Sequence, residues 1–302
     1  MKIRELAPKD DAAALVQLHR DAFPTAVITI ASFIHREATV PARARARAWV
    51  AELDGEVVGR VECLLNFFSQ DGRTASVNVI VRGDRRGRGI GTALYETALA
   101  YVSTLEAECL LANFHENDAG VAFATARGFR LVRSETEASL DPRRVAEQPD
   151  PALELRAVDD VDARLVHAVD LEATTDMPAT VAVDDIPYGE WEDHVLRHPL
   201  FTGAGSFVAM VDGVAAAVSL LTVDLESGRA ASMFTGTRRA YRGRGLALAA
   251  KLASIHWAAG QGVTQLVTYN DTTNAPMLAI NRRLGYVPSG RRVEYLADLP
   301  TS

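Results

Sequence analysis

The chain has 302 residues, 48% of them hydrophobic and 24% charged, with a net charge of −7. These proportions fit a globular protein of about two domains and exclude disorder and a collagen-like repeat, while the acidity excludes a basic, general nucleic-acid binder. Two distant cysteines, Cys63 and Cys109, exclude a disulfide framework, and a charged start with no apolar run near the roughly 18 residues of a membrane span leads us to expect a cytoplasmic protein with neither membrane nor nucleic-acid partner.

In chain order, Val50–Leu53 and Val57–Val61 flank Asp54-Gly55, which predicts a hairpin. A strand follows over Ala75–Val81, then the Gly-rich stretch Arg85-Arg86-Gly87-Arg88-Gly89-Ile90-Gly91. Ile90, Leu94, Thr97, Ala98 and Tyr101 then fall at helical spacing. A short strand, Cys109–Ala112, precedes a helix expected to end at Gly128, where glycine suits a C-cap. Glu147-Gln148-Pro149-Asp150-Pro151 has the composition of a linker.

Beyond it the same order returns. Phe207–Val211 leads into Asp212-Gly213, Tyr241-Arg242-Gly243-Arg244-Gly245-Leu246-Ala247 is the second Gly-rich stretch, and Leu246, Ala250, Ala253 and Trp257 mark its helix. Leu266–Thr268 predicts a strand and Gly285 ends the last helix. Arg86 and Arg242 are 156 positions apart, Asp54 and Asp212 158, and Asn117 and Asn274 157, as are Gly128 and Gly285. Arg4 and Asp10 match Arg156 and Asp162 at 152. Ordered matches of this kind mark an internal repeat. The expected organisation is two α+β copies, 1–146 and 152–302, joined by a linker at 147–151.

A strand that turns through such glycines into a helix exposes backbone N–H groups at the positive end of the helix dipole. That is an anion site suited to phosphate or pyrophosphate. Arg82, Arg85, Arg86 and Arg88 crowd one loop and Arg238, Arg239, Arg242 and Arg244 the other, local basicity set against an acidic whole. Neither loop continues as the Gly-Lys-Ser/Thr of a P-loop, and the glycine spacing is not that of a Rossmann loop.

Arg86-Gly87-Arg88-Gly89-Ile90-Gly91 resembles the acyl-CoA pyrophosphate loop, Arg/Gln-x-x-Gly-x-Gly/Ala, of the GNAT superfamily of N-acetyltransferases, and Arg242-Gly243-Arg244-Gly245-Leu246-Ala247 resembles it again. Asn117 to Gly128-Phe129, and Asn274 to Gly285-Tyr286, are similar to the family's downstream Asn and Gly-aromatic helix end. The resemblance covers nearly the whole chain as a tandem pair. It implies two GNAT-like domains, each a mixed, mostly antiparallel twisted sheet flanked by helices and splayed open near its fourth and fifth strands. It further implies acetyl-CoA as co-substrate, with its pantetheine along the strand ends Ile80-Val81 and Gly236-Thr237, and direct attack by a primary amine of a small molecule or peptide. An acidic protein could draw in a cationic amine such as a polyamine, an aminoglycoside or a peptide N-terminus.

The family's tyrosine acid, five residues before the aromatic, is replaced by Ala124 and Asn281. Asn281 can donate a hydrogen bond but not act as an acid. Candidate bases are Glu62 and Glu116 in the first copy and Asp184, Asp185 and Glu190 in the second, each with a solvated surface charge as the alternative. His194 and His198 lie i, i+4, as a metal pair or an exposed helix face, and no metal is expected. Arg43, Arg45 and Arg47 read as a solvated face or a grip on the CoA 3′-phosphate or an acidic acceptor. Cys63, Cys109, Trp49, Trp191 and Trp257 read as packing residues, Trp191 standing where an acceptor would sit. The missing tyrosine leaves open an alternative: a non-catalytic acyl-CoA-binding or sensing protein, or one active and one structural domain.

Overall fold

The computed structural model describes residues 1–67, 72–181, 184 and 186–300. In chain order the elements are β1 (Lys2–Glu5), α1 (Pro8–Ala22), α2 (Ile30–Thr39), β2 (Arg47–Leu53), β3 (Glu56–Leu65), β4 (Thr74–Val81), α3 (Ile90–Val102), β5 (Cys109–His115), α4 (Asp118–Thr125) and β6 (Arg130–Leu140). There follow β7 (Glu154–Ala157), α5 (Ala163–Thr174), α6 (Tyr188–His194), β8 (Phe207–Val211), β9 (Val214–Asp224), β10 (Arg229–Thr237), α7 (Leu246–Gly260), β11 (Gln265–Asp271), α8 (Ala275–Leu284) and β12 (Val287–Asp298). The class is α+β.

The chain folds as two compact units. The first is Met1–Ser134, Thr180–Ala182 and Arg291–Ser302; the second is Glu135–Ala179 and Val183–Gly290. In the first, β1 to β5 follow one another across the sheet, antiparallel except for β4 with β5, and Arg292–Asp298 of β12 run antiparallel along β5. In the second, β7 to β11 repeat that order, and Glu135–Leu140 of β6 run antiparallel along β11. The units therefore do not divide at 147–151: residues 135–146 lie in the second unit, 291–302 in the first, and 147–151 inside the second. The reason is that a strand's alternation fixes which residues face the core, here Val293, Tyr295 and Ala297, but not which strand edge it joins.

Local chemistry explains the repeated parts. Asp54 and Gly55 have φ of 53° and 83°, and Asp212 and Gly213 50° and 77°, the paired positive values of a type I′ hairpin turn. In each hairpin the register slips once, at Ala51/Glu52 and at Ala209/Met210. Gly285, at φ 87°, caps α8 as its position predicts. In the first copy the regular helix α4 stops earlier, at Thr125, but Gly128, at φ 78°, closes the turn in the same way: Gly128 N bonds Thr125 O and Phe129 N bonds Ala124 O, as Gly285 N bonds Arg282 O and Tyr286 N bonds Asn281 O.

Each core lies under the helix that follows the Gly-rich loop. Ile90, Leu94, Ala98 and Val102 of α3 pack on Val61, Cys63 and Val77, and Leu252, Ile255 and Ala258 of α7 pack on Leu221, Ala230 and Leu266. Cys63 is fully buried, its thiol pushed up to about 12 by burial, while Cys109 is half-buried. Among the described residues no helix is long and apolar enough to cross a membrane.

Candidate functional site

In the first unit β4 pairs with β5 only from Thr74 to Ser76, opposite Cys109 to Leu111. At the next step the Asn78 side chain accepts the Asn113 N–H at 3.0 Å, and beyond it the strands part. The parting opens a cleft of about 650 Å³, walled by Val77–Val81 of β4, by Ala112–His115 of β5 and by Phe123 and Ala124 of α4. Losing its parallel neighbour leaves that side of β4 with backbone groups facing the cleft.

The Gly-rich loop forms one end, where Arg86, Gly87, Gly89, Ile90 and Gly91 line the cleft together with Ile80, Val81 and Asn117. Gly87 and Gly89 sit at φ 73° and 80°, a conformation that side chains resist. Gly89 is the N-cap of α3 and supplies no side chain, so the first-turn N–H groups point outward unpaired. With the helix dipole they form an anion cradle. Arg86 is fixed by a bond from its Nε to Val81 O at 3.1 Å and keeps an exposed head. Arg88 is exposed and lies outside the cleft lining. Asn117 caps α4, accepting from Gly120 N at 2.9 Å.

Part of the lining is ionic. Glu62 and Arg60 alternate on one face of β3 and reach the cleft with Arg36 of α2, His19 of α1, the α1 C-cap Phe23 and Arg292 of β12. Arg60 bonds Glu37 at 2.8 Å and lies 3.2 Å from Glu62, and Arg36 bonds Glu37 at 2.9 Å and lies 3.6 Å from Glu62. The Phe33 ring lies 5.2 Å from the Arg60 guanidinium. Burial, with the charges of Arg36, Arg60 and Arg292, draws the His19 imidazole down to about 3, so it is neutral. Tyr95 of α3 is the tyrosine in the described lining; burial raises its phenol against the opposing pull of Arg127.

The second unit repeats the loop but not its surroundings. Gly245, at φ 73°, is again the N-cap, of α7, and Arg242 Nε again bonds the strand end, at Thr237 O over 3.3 Å. Both loops give carboxylate partners to their leading arginines, Arg82 and Arg85 to Asp84 in the first and Arg238 to Glu172 and Arg239 to Asp176 in the second, but in the second the motif arginine Arg242 is also held, by Asp176 at 2.5 Å. β10 pairs with β11 only from Arg229 to Ala231. At the point corresponding to Tyr95, four residues past Ala247, stands Lys251, 2% exposed. Its Nζ donates to Asn281 Oδ1 at 2.8 Å and lies 3.5 Å from Thr268 Oγ1 and 4.9 Å from the Tyr286 ring. Asn281 Nδ2 in turn donates to Asn270 Oδ1. Burial draws the Lys251 ammonium down to about 7.

The remaining expectations scatter. Glu116 does not line the cleft and pairs with Arg291 at 2.9 Å. Asn274 caps α8, and Gly236, Thr237, Gly243, Arg244 and Leu246 belong to the second unit's loop region, with Leu246 buried in its core. Asp184 stands beside the buried Asp170, whose carboxyl is raised by burial while Trp191 Nε1 donates to it at 2.7 Å; Trp191 therefore packs. Glu190 lies in the first turn of α6, and Asp185 lies outside the described residues. His194 Nδ1 meets Glu190 O at 2.8 Å, and among the described residues no group of three or more His, Cys, Asp and Glu is arranged to hold a metal. Arg47 pairs with Glu5 and Arg43 reaches Phe67 O, and neither these nor Arg45 line the cleft.

Sequence reasoning missed His19, Arg36, Arg60, Tyr95 and Arg292. Only the Arg60-x-Glu62 alternation carried a local signal.

The sequence pattern of the acetyltransferase (GNAT) family matches residues 12–129 and 170–286. A mycothiol acetyltransferase from Nocardioides sp. (strain ATCC BAA-499 / JS614) is 27% identical over 234 residues, 70% of this chain and 76% of that protein. Among solved structures, a tandem GNAT protein from the clavulanic acid biosynthesis pathway superposes with a TM-score of 0.77 at 23% identity, over 100% of this chain and 99% of that one. A GCN5-related N-acetyltransferase from Sphaerobacter thermophilus gives 0.72 at 19%, over 100% and 96%.

Proposed function

Because this chain belongs to the GNAT family of acetyl-CoA-dependent N-acetyltransferases, here as two GNAT halves in tandem, we propose that its first unit transfers the acetyl group to a primary amine and that its second unit is structural. The observation that carries the proposal is one cleft lined both by an anion cradle and by Glu62. The residues present fit acetyl-CoA: loop N–H groups with Arg86 for the pyrophosphate, and the unpaired side of β4 for the pantetheine. In the second unit, Asp176 already holds the motif arginine Arg242, and Lys251 and Asn281 bond side by side against Thr268 and Asn270 of β11, just past its stretch paired with β10.

On this reading the cleft holds amine and thioester side by side. Arg36 and Arg60 hold the Glu62 carboxylate against the cleft wall, where it takes the proton the amine sheds as its N–C bond forms and the C–S bond breaks. Tyr95 returns a proton to the departing sulfur, the task that Ala124 cannot perform. Glu62→Gln keeps the shape and removes the base, so kcat/KM is expected to fall about 10²–10⁴-fold, followed as free thiol released from acetyl-CoA with an amine panel. A loss below twofold would take the base role away from Glu62.

Ala124 also favours a second reading, binding of acyl-CoA without turnover. Thiol release separates the two.

A further inference from the structure

We propose, on the reading that the first unit is the acetyltransferase, that the side-chain amide of Asn78 is a further catalytic group: its Nδ2 donates to the carbonyl oxygen of the acetyl thioester and holds the negative charge that gathers there as the amine attacks. The strands set the place. Asn66 N bonds Thr74 O and Arg82 N bonds Val58 O, so the even-numbered residues of β4 turn their backbone groups toward β3 and the odd-numbered ones turn theirs toward β5. Past the parting, Val79 and Val81 therefore face the cleft, and Val81 O already holds Arg86 Nε. β4 and β5 are paired at Ser76 and Leu111, which closes the gap below. A pantetheine that runs from the loop along Val81 and Val79 ends beside Asn78, whose side chain lines the cleft. Glu62 is the direct cross-strand partner of Asn78, on the same face, with Cβ atoms about 4.5–5.5 Å apart in such pairs. Base and amide thus flank one spot.

The amide is also oriented. Asn78 Oδ1 accepts the Asn113 N–H at 3.0 Å. Only the oxygen of an amide can receive a backbone N–H, so this bond fixes which way the group points. It leaves both Nδ2 hydrogens without a partner among the described residues, on a half-buried side chain of the cleft wall. A donor held in advance, and unable to turn away without breaking its bond to β5, is what a developing oxyanion needs.

In the step so assisted, the amine nitrogen bonds the carbonyl carbon and the C=O pair moves onto the oxygen that Nδ2 holds. That pair returns as the C–S bond breaks. Glu62 takes the amine's proton, and the sulfur, leaving with its electron pair, takes one from Tyr95. The second unit has no counterpart. Arg229 pairs with Gln265 there as Thr74 pairs with Cys109. Four residues on, in place of Asn78, stands Met233, packed against the core, and the register of β10 with β9 slips between Ser232 and Phe234.

The test uses the full chain, acetyl-CoA and an amine panel, with free thiol as the readout and acetyl-CoA binding measured on each variant. Asn78→Ala removes both the donor and the bond to Asn113. Asn78→Asp keeps an acceptor for the Asn113 N–H but offers no donor. Both are expected to lose about 10²–10³-fold in kcat, the scale of one oxyanion donor, with the Kd of acetyl-CoA within about threefold of wild type. In Asn78→Asp the loss is expected to persist from about pH 6 to 9.5; a loss that vanished at high pH would mean that residue 78 acts only through the charge on Glu62. Wild-type kcat in Asn78→Asp would reduce the residue to its bond with Asn113, and a loss confined to acetyl-CoA binding would make it a binding group. Each of these three results would overturn the proposal while leaving the acetyltransferase reading in place. Thiol release from none of the amines by the wild type, with acetyl-CoA bound, would overturn that parent reading and this one with it.

Discussion

Valine in place of Gly89 is expected to raise the Kd of acetyl-CoA about 100-fold or more, while valine in place of Gly245 changes it less than twofold. Both glycines stand at positive φ as the N-caps of α3 and α7, so both substitutions strain the backbone by roughly 1–2 kcal/mol. What differs is the consequence for binding. At Gly89 a branched side chain covers the unpaired first-turn N–H groups, and losing two charge-assisted bonds at about 1.5–3 kcal/mol each gives the 100-fold figure as its lower bound. At Gly245, on the proposal that the second unit is structural, Arg238, Arg239 and Arg242 stay with Glu172 and Asp176 and there is no pyrophosphate to displace. Titration of acetyl-CoA into each folded variant decides the matter. Equal losses at the two positions would make the second loop a binding site as well.

Lys251 supplies the second large effect, in stability. In the unfolded chain its amine titrates near 10.5; in the folded one, near 7. Below pH 7 both states hold the proton and the folded state bears the full cost of a buried ammonium. Between about 7 and 10.5 the unfolded state binds more protons, so the free energy of unfolding rises with pH. From pH 6 to 8.5 the gain from this group is about 2 kcal/mol, since each unit of pH is worth about 1.4. Lys251→Met is expected to remove that rise. Urea denaturation of both proteins at the two pH values measures it as a difference, below the range in which Cys63 and Tyr286, whose burial raises them, titrate with the opposite sign. A variant that keeps the full pH dependence would show that Lys251 is charged when folded.

Much of the fold could be read from local signals. The Asp-Gly turns, the Gly-rich loops and the helices after them need only a few neighbouring residues to declare themselves. Of the cleft, only the Gly-rich loop could be read. Its ionic lining joins residues 19, 36, 60, 62 and 292, which share no pattern along the chain; only folding brings them together. Lys251 follows Ala250 in a helix whose apolar spacing was recognised, yet its burial depends on Thr268 and Asn281, on other elements. The pairing of Asp176 with Arg239 and Arg242 is likewise long-range, and it gives two nearly identical motifs different surroundings.

The exchange of strands between the halves of the chain sets a timetable for synthesis. The edge of β5 is covered by Arg292–Asp298, and Arg292 also belongs to the cleft. At about 5–20 residues per second, the ribosome delivers Arg292 roughly 10–30 s after Ser134, where the long first stretch of the first unit ends. Through that interval the nascent first unit carries an uncovered strand edge, the kind of surface that recruits chaperones or pairs with the wrong strand. The cleft acquires Arg292 only after the second unit has been made, so a chain cut short within the second unit lacks both that side chain and the strand that covers β5.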